Sequence, residues 1–207
     1  RGDFADAMKQ YRDARSIDAR QVDFLIAEVE CLVAVGRDDD ALALLDEHAN
    51  RYNEDGELAA LGGRLLAKRG DTTGAIARYR RAMAELGDSK WVVRELGLLL
   101  ARERRFAEAV ELLRPLLGGN AEGANTEGAS AETSVRRALA EAYVSLGSPQ
   151  DAKPLLIDYV RARPDDVAAQ ILLTKVALAT DDLPTAIDAA AAAQRLDPTQ
   201  AEGGVVR

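Results

Sequence analysis

Apolar residues return along this chain at helical rather than strand spacing. Between residues 91 and 100, Val93, Leu96, Gly97 and Leu100 recur at i, i+3, i+4 and i+7. After a turn at Arg104 and Arg105 the stripe resumes as Ala109, Leu113 and Leu116, within a second helix expected over 106–117. This spacing draws one apolar face on each of two helices, and no segment sustains the two-residue alternation of a half-buried strand. The expected class is all-α. The paired pattern then repeats. Ala7, Ala41, Ala75, Ala109, Ala152 and Ala186 stand 34, 34, 34, 43 and 34 residues apart, and 43 is 34 plus an insertion of nine. Five residues before each comes Gly2, Gly36, Gly70, Arg104, Gly147 and Asp181, mostly residues that turn a chain. A period of this length marks a stacked array of helix pairs, in which each unit buries its apolar face against its neighbours.

The register divides the chain. Residues 1–20 read as the second helix of one unit, and complete units follow at 22–55, 56–89, 90–117, 133–166 and 167–200. Residues 201–207 are a tail or the start of a further helix. Residues 118–130 hold four glycines and no large apolar side chain, which predicts a flexible insertion with Ser130 capping the helix after it. Ser148 and Pro149 read as the cap and first position of a helix, and Pro154 inside that helix is expected to bend it. An alanine recurring where two helices cross keeps their axes close, and a larger side chain there would overpack by about 1–3 kcal/mol.

Other positions recur in the same register. The small first-helix residue reads Gly63, Gly97, Ala140 and Thr174, with Val29 departing; three residues further on stand Leu32, Leu66, Leu100, Tyr143 and Ala177. The large second-helix position reads Tyr11, Leu45, Tyr79, Leu113, Leu156 and Ala190, and Pro164 and Pro198 close their units where Ala19, Asn53 and Gly87 close others. Over nearly the whole chain this pattern resembles the tetratricopeptide repeat (TPR) family. The resemblance implies an α-solenoid, a right-handed superhelix of antiparallel helix pairs whose first helices line a concave groove. Glu28 and Thr174 stand where it expects core. The family's best-understood peptide mode clamps a C-terminal carboxylate with lysine, arginine and asparagine. Here Ala27, Leu61, Arg64 and Glu95 occupy the corresponding positions, so the likeness does not extend to a clamp for chaperone tails.

Composition narrows the function classes. The formal net charge of −8 argues against broad nucleic-acid or anionic-membrane binding, which needs basic surface. No apolar run approaches the roughly 18 residues of a membrane span, so direct membrane insertion is not expected. The chain opens at Arg1 without a methionine and reads as a segment of a larger protein, which leaves cytoplasmic and exported or periplasmic settings open. Phosphate-loop, HExxH and GxSxG motifs are missing, as is any cysteine pair, and neither a catalytic site nor a cofactor or metal is expected. His48, at a second-helix position where a small residue is preferred, reads as structural. Cys31, the one cysteine, reads as a small core residue. Asp38, Asp39 and Asp40 open a second helix, where carboxylates suit the helix dipole. Arg1-Gly2-Asp3 matches an adhesion tripeptide but occupies the turn that recurs as Gly36-Arg37-Asp38.

What remains is surface. Projecting the groove-facing positions of the first helices gives Arg64, Lys68, Trp91, Arg94, Leu98, Arg102, Arg137, Leu172 and Lys175, with Glu30, Glu57, Glu95 and Glu141 interspersed. Arginine and tryptophan are frequent interface anchors. The expected function is a non-enzymatic scaffold that holds a peptide or helix of another protein, with acidic segments favoured by the basic middle of the groove. Two alternatives stand beside it: a recruiting or regulatory segment of a larger enzyme or secretion or envelope assembly, and a structural protein that self-associates through uncapped ends.

Overall fold

The computed structural model describes residues 2–17, 22–48, 55–87, 89–118 and 126–197. Among these it holds eleven α-helices and one short 3-10 turn, and no strand. The helices are α1 (Gly2–Ile17), α2 (Val22–Ala34), α3 (Asp38–His48), α4 (Gly56–Arg69), α5 (Thr72–Leu86), α6 (Lys90–Arg102), α7 (Phe106–Leu113), α8 (Thr126–Ser145), α9 (Pro149–Ala162), α10 (Val167–Ala179) and α11 (Leu183–Leu196). Two compact units divide the chain, Arg1–Glu95 and Leu96–Arg207.

Five of the six turn positions behave as their spacing predicts, whereas Gly2 is the first residue of α1 rather than part of a turn. Gly36, Gly70 and Gly147 have positive φ, and Arg104 and Asp181 hold the same left-handed backbone at φ 60° and 55° without being glycine. Left-handed backbone ends the first helix of each pair and frees the chain to start the second. Aspartates then cap helix starts: Asp55, Asp71, Asp166 and Asp182 accept hydrogen bonds from the backbone N–H of Leu58, Gly74, Ala169 and Thr185. Each such cap contributes about 1 kcal/mol.

In the first unit one core joins α2, α3 and α4 through Leu25, Val29, Leu32, Ala41, Leu42, Leu45, Leu58, Leu61 and Leu65. Leu42 on the second helix of one repeat therefore shares a core with Leu58, Leu61 and Leu65 on the first helix of the next. Small residues permit the close pairings: a Cβ on Gly63 would lie 3.0 Å from the Tyr79 ring. Glu28 is buried in this core, and its Oε1 accepts from Arg12 Nη2 at 3.2 Å, so the charge expected to disturb the stripe is carried inside an ion pair. His48 is half-buried in the last turn of α3. Cys31 is also half-buried rather than fully inside, because the face of α2 that packs runs through Glu28, Val29 and Leu32.

The second unit repeats the device. A Cβ on Gly97 would lie 2.5 Å from Leu113 Cδ2, and Ala140 meets Leu156 in a core completed by Ala152, Leu173, Val176 and Ala189. The helix expected over 106–117 divides into α7 and a 3-10 turn at Arg114–Gly118. Pro115 has no N–H to continue the α-helical ladder. Helix α8 starts at Thr126, so residues 126–130 of the expected insertion are helical, and Ser130 lies inside the helix with its carbonyl accepting from Ser134 Oγ at 3.0 Å. Glu127, Ala129, Ala131 and Glu132 are good helix formers that carry α8 back toward the glycines. Residues 119–125 and the tail from 198 onward lie outside the described residues.

Ser148 and Pro149 do open α9, although the Ser148 side chain makes no capping bond. Pro154 sits within α9 on its exposed side, where water can satisfy the carbonyl that loses its partner. Thr174 is half-buried, and its hydroxyl donates to the Gln170 carbonyl at 2.9 Å, which is how a polar residue fits a core position.

Candidate functional site

The second unit contains a cleft of about 180 Å³ between α8 and α10. Arg137 and Glu141 of α8 form one wall, and Ile171, Leu172 and Lys175 of α10 form the other. Leu156 of α9, which is buried, and Ala168 and Ala169 close it. Three of the residues projected from sequence, Arg137, Leu172 and Lys175, are thus brought together. They meet because Arg137 and Glu141, like Ile171 and Lys175, stand one helical turn apart on a single face.

Arg137 is the most constrained side chain in the cleft. Its Nε donates to Glu141 Oε1 at 2.9 Å and its Nη1 to Asp166 Oδ2 at 2.6 Å, with Tyr159 Oη 3.4 Å from the same nitrogen. The guanidinium also stands 5.7 Å from the Tyr159 ring centroid, within cation–π range. Tyr159 Oη donates to Asp166 Oδ2 at 2.8 Å, while Asp166 Oδ1 caps α10 at the Ala169 N–H. One aspartate therefore fixes the start of α10, the tyrosine of α9 and the arginine of α8.

The protonation states follow this arrangement. Burial alone would push the Asp166 carboxyl up, but bonds from Tyr159 and the Ala169 N–H and the charge of Arg137 hold it below the usual range. Tyr159 is pushed up by burial and by its bond to Asp166. The bonds to Glu141 and then Tyr159 raise Arg137 further above its ordinary value. Neither Tyr159 nor Asp166 was among the projected residues. Tyr159 shares the register of His48, Ala82, Leu116 and Ala193, where the repeat prefers a small side chain, and that departure is the signal that could have found it.

In the first unit Arg64, Trp91 and Arg94 lie on α4 and α6. Trp91 is 36% exposed, and Arg94 Nε is paired with Glu95 Oε1 at 3.3 Å. Tyr79 of α5 is buried, and its hydroxyl is pushed up to about 12 by that burial and by the charge of Glu95, against the opposing charge of Arg64. Lys68 stands elsewhere, at the end of α4, with its Nζ 2.5 Å from Asp38 Oδ2 in a recess formed with Gly36, Arg37 and Asp39. In the second unit Leu98 is half-buried and Arg102 exposed on α6.

The projected cations thus divide. Lys68, Arg94 and Arg137 hold carboxylates of this chain, whereas Arg64, Arg102 and Lys175 form no ion pair among the described residues. Among the described residues no cluster of histidine, cysteine, aspartate or glutamate is arranged to hold a metal ion, and no helix is long and apolar enough to cross a membrane.

Sequence profiles of the tetratricopeptide repeat match residues 1–65 and, for a second profile, residues 61–125 and 137–201. No curated protein matches the chain in sequence. Among solved structures, YrrB, a TPR protein with an unusual peptide-binding site, superposes with a TM-score of 0.76 at 14% identity, covering 91% of this chain and 92% of YrrB. MamA AMB-1 superposes at 0.71 and 22% identity, covering 87% of this chain and all of that one. MamA from Desulfovibrio magneticus RS-1 gives 0.66 at 18% identity, with coverages of 94% and 97%. These likenesses concern the fold. The TPR is a protein–protein interaction module, and proteins built from it are generally non-enzymatic scaffolds. By its repeat register, its helix pairs and the profiles that match most of its length, the chain belongs to the tetratricopeptide repeat family.

Proposed function

We propose that this protein is an interaction scaffold that binds a peptide segment of a partner on the exposed faces of its first helices, with the α8–α10 cleft as its main subsite. The supporting observation is the cleft itself. At about 180 Å³ it lies below the roughly 300–1,000 Å³ of pockets that take small molecules, and it suits one side chain of a peptide laid across it. Its walls are preformed: Arg137 is held by Glu141, Asp166 and Tyr159, so little side-chain entropy is lost on binding. Leu98 and Arg102 of the same unit offer further contacts, and Arg64, Lys68, Trp91 and Arg94 are candidate contacts of the first unit taken by itself. Peptide binding by the structural neighbour YrrB agrees with this reading.

Selection of random displayed peptides against the native chain, followed by affinity measurement on Leu172→Asp, tests it. An apolar side chain seated against Leu172 should make the variant bind about tenfold or more weaker. Unchanged affinity would contradict the assignment of the cleft.

A second reading, self-association, is favoured by Leu183 and Ile187, one turn apart and exposed on α11. Light scattering over a concentration series tests it. A species that stays monomeric, and is unaffected by Ile187→Glu, would remove it.

A further inference from the structure

The cleft is apolar in its floor and uneven in its charge, and that combination defines what enters it. Leu156, Ala168 and Ala169 offer no hydrogen-bond group from their side chains, and Ile171 and Leu172 extend the apolar surface up the α10 wall. An aliphatic side chain fits there, whereas a polar one would lose its hydration without a partner.

Charge at the mouth is distributed by the network below it. Arg137 is committed to Glu141 on its own helix and to Asp166 across the step to α10. Lys175 is exposed and forms no ion pair among the described residues. An incoming anion therefore meets its uncommitted cation on α10, although sequence projection gives Arg137 and Lys175 the same standing. A run of acids is disfavoured, because Glu141 and Asp166 already outnumber Arg137, and a second ligand carboxylate would face Glu141. Leu172 and Lys175 are three residues apart on one helix, roughly 4.5 Å along its axis. The apolar side chain and the carboxylate of the ligand must be similarly close.

We propose, resting on the peptide-binding reading above, that the cleft selects a partner segment in which one aliphatic side chain is followed or preceded within about one helical turn by a single aspartate or glutamate. The aliphatic side chain enters between α8 and α10, and the carboxylate pairs with Lys175. Lysine is a compact point charge with no planar fork, which suits a lone side-chain carboxylate better than bidentate capture of a chain terminus.

The test uses random short peptides displayed on phage, selected against the native chain, then resynthesised with amidated C-termini and measured by fluorescence anisotropy. The expected motif is an aliphatic residue with one Asp or Glu close by. Lys175→Glu should weaken binding about tenfold or more, Lys175→Arg should retain it, and replacing the peptide's acid with lysine should restore binding to Lys175→Glu. Peptides that lose affinity on Leu172→Asp but ignore Lys175→Glu overturn this proposal and leave the cleft reading standing. Peptides that ignore both substitutions, or a selection that enriches nothing, overturn the cleft reading and this proposal with it.

Discussion

Arg137 Nη1 stands 2.6 Å from Asp166 Oδ2, so the first helix of one repeat is tied to the residue that caps the first helix of the next. The pair joins binding surface and stacking in one contact, because Arg137 walls the cleft and Asp166 sets where α10 begins.

Removing the carboxylate should therefore cost both roles. Asp166→Ala loses a cap and two side-chain hydrogen bonds, and the expected destabilisation is about 1–3 kcal/mol. Asp166→Asn retains a capping oxygen and should cost roughly half as much. Urea denaturation of the two variants checks the order.

The same aspartate predicts an acid limb. Its folded-state carboxyl is held below the ordinary value of 3.8, so its contribution is fully present above that pH. It is lost as pH falls below 3.8 through the folded value, since the unfolded chain takes up the proton first. The stability difference between the native chain and Asp166→Asn should shrink over that window. A difference that persists unchanged to lower pH would count against the assignment.

Gly97 and Leu113 show how little room the helix crossing has. A Cβ at Gly97 would lie 2.5 Å from Leu113 Cδ2, so Gly97→Ala should destabilise by about 1–3 kcal/mol despite alanine's better helix propensity. Adding Leu113→Ala should cost less in that background than in the native chain, a non-additivity that a double-mutant cycle measures directly.

Arg104 and Asp181 occupy the left-handed turn backbone that glycine fills at Gly36, Gly70 and Gly147. Arg104→Gly and Asp181→Gly should each stabilise by up to about 1 kcal/mol, whereas Gly36→Ala should destabilise by a similar amount. Thermal unfolding of the three variants gives the signs.

Ile76 and Ile187 share a register but not an environment: Ile76 is 7% exposed and Ile187 is 67% exposed. Glutamate at position 76 buries a charge without a partner and should cost several kcal/mol, roughly 3 or more. Glutamate at position 187 should change stability by about 0.5 kcal/mol or less. Equal effects would mean that α11 is covered in solution.

These contrasts mark how far the fold was legible from residues alone. The alanine ladder and the turn positions were readable because each depends on one residue's size or φ: Ala41, Ala75, Ala109, Ala152 and Ala186 are all buried. The apolar stripe was readable only in part. Val92 is fully buried where spacing favoured Val93, because a first helix is flanked by more than one neighbour and buries a wider arc than one stripe. The start of α8 at Thr126 departs from the flexible stretch expected over 118–130, because good helix formers follow the glycines near 118–123.

The cleft was half legible. Periodicity placed Arg137, Leu172 and Lys175 on one side of their helices, but it could not show that Arg137 is neutralised. Its partner Asp166 belongs to a cap, and its neighbour Tyr159 to the helix between. The basic middle of the projected surface is correspondingly weaker than the residue types alone implied, since Lys68, Arg94 and Arg137 all hold carboxylates of this chain.

In the second unit the proposed peptide sits between α8 and α10 and not on α11. Backbone amide chemical shifts of the isotope-labelled chain, titrated with a selected peptide, test it most directly. The largest changes should cluster at Arg137, Glu141, Ile171, Leu172 and Lys175, with α11 around Ile187 unmoved. Changes centred on Ile187 and Leu183, with the cleft silent, would contradict it.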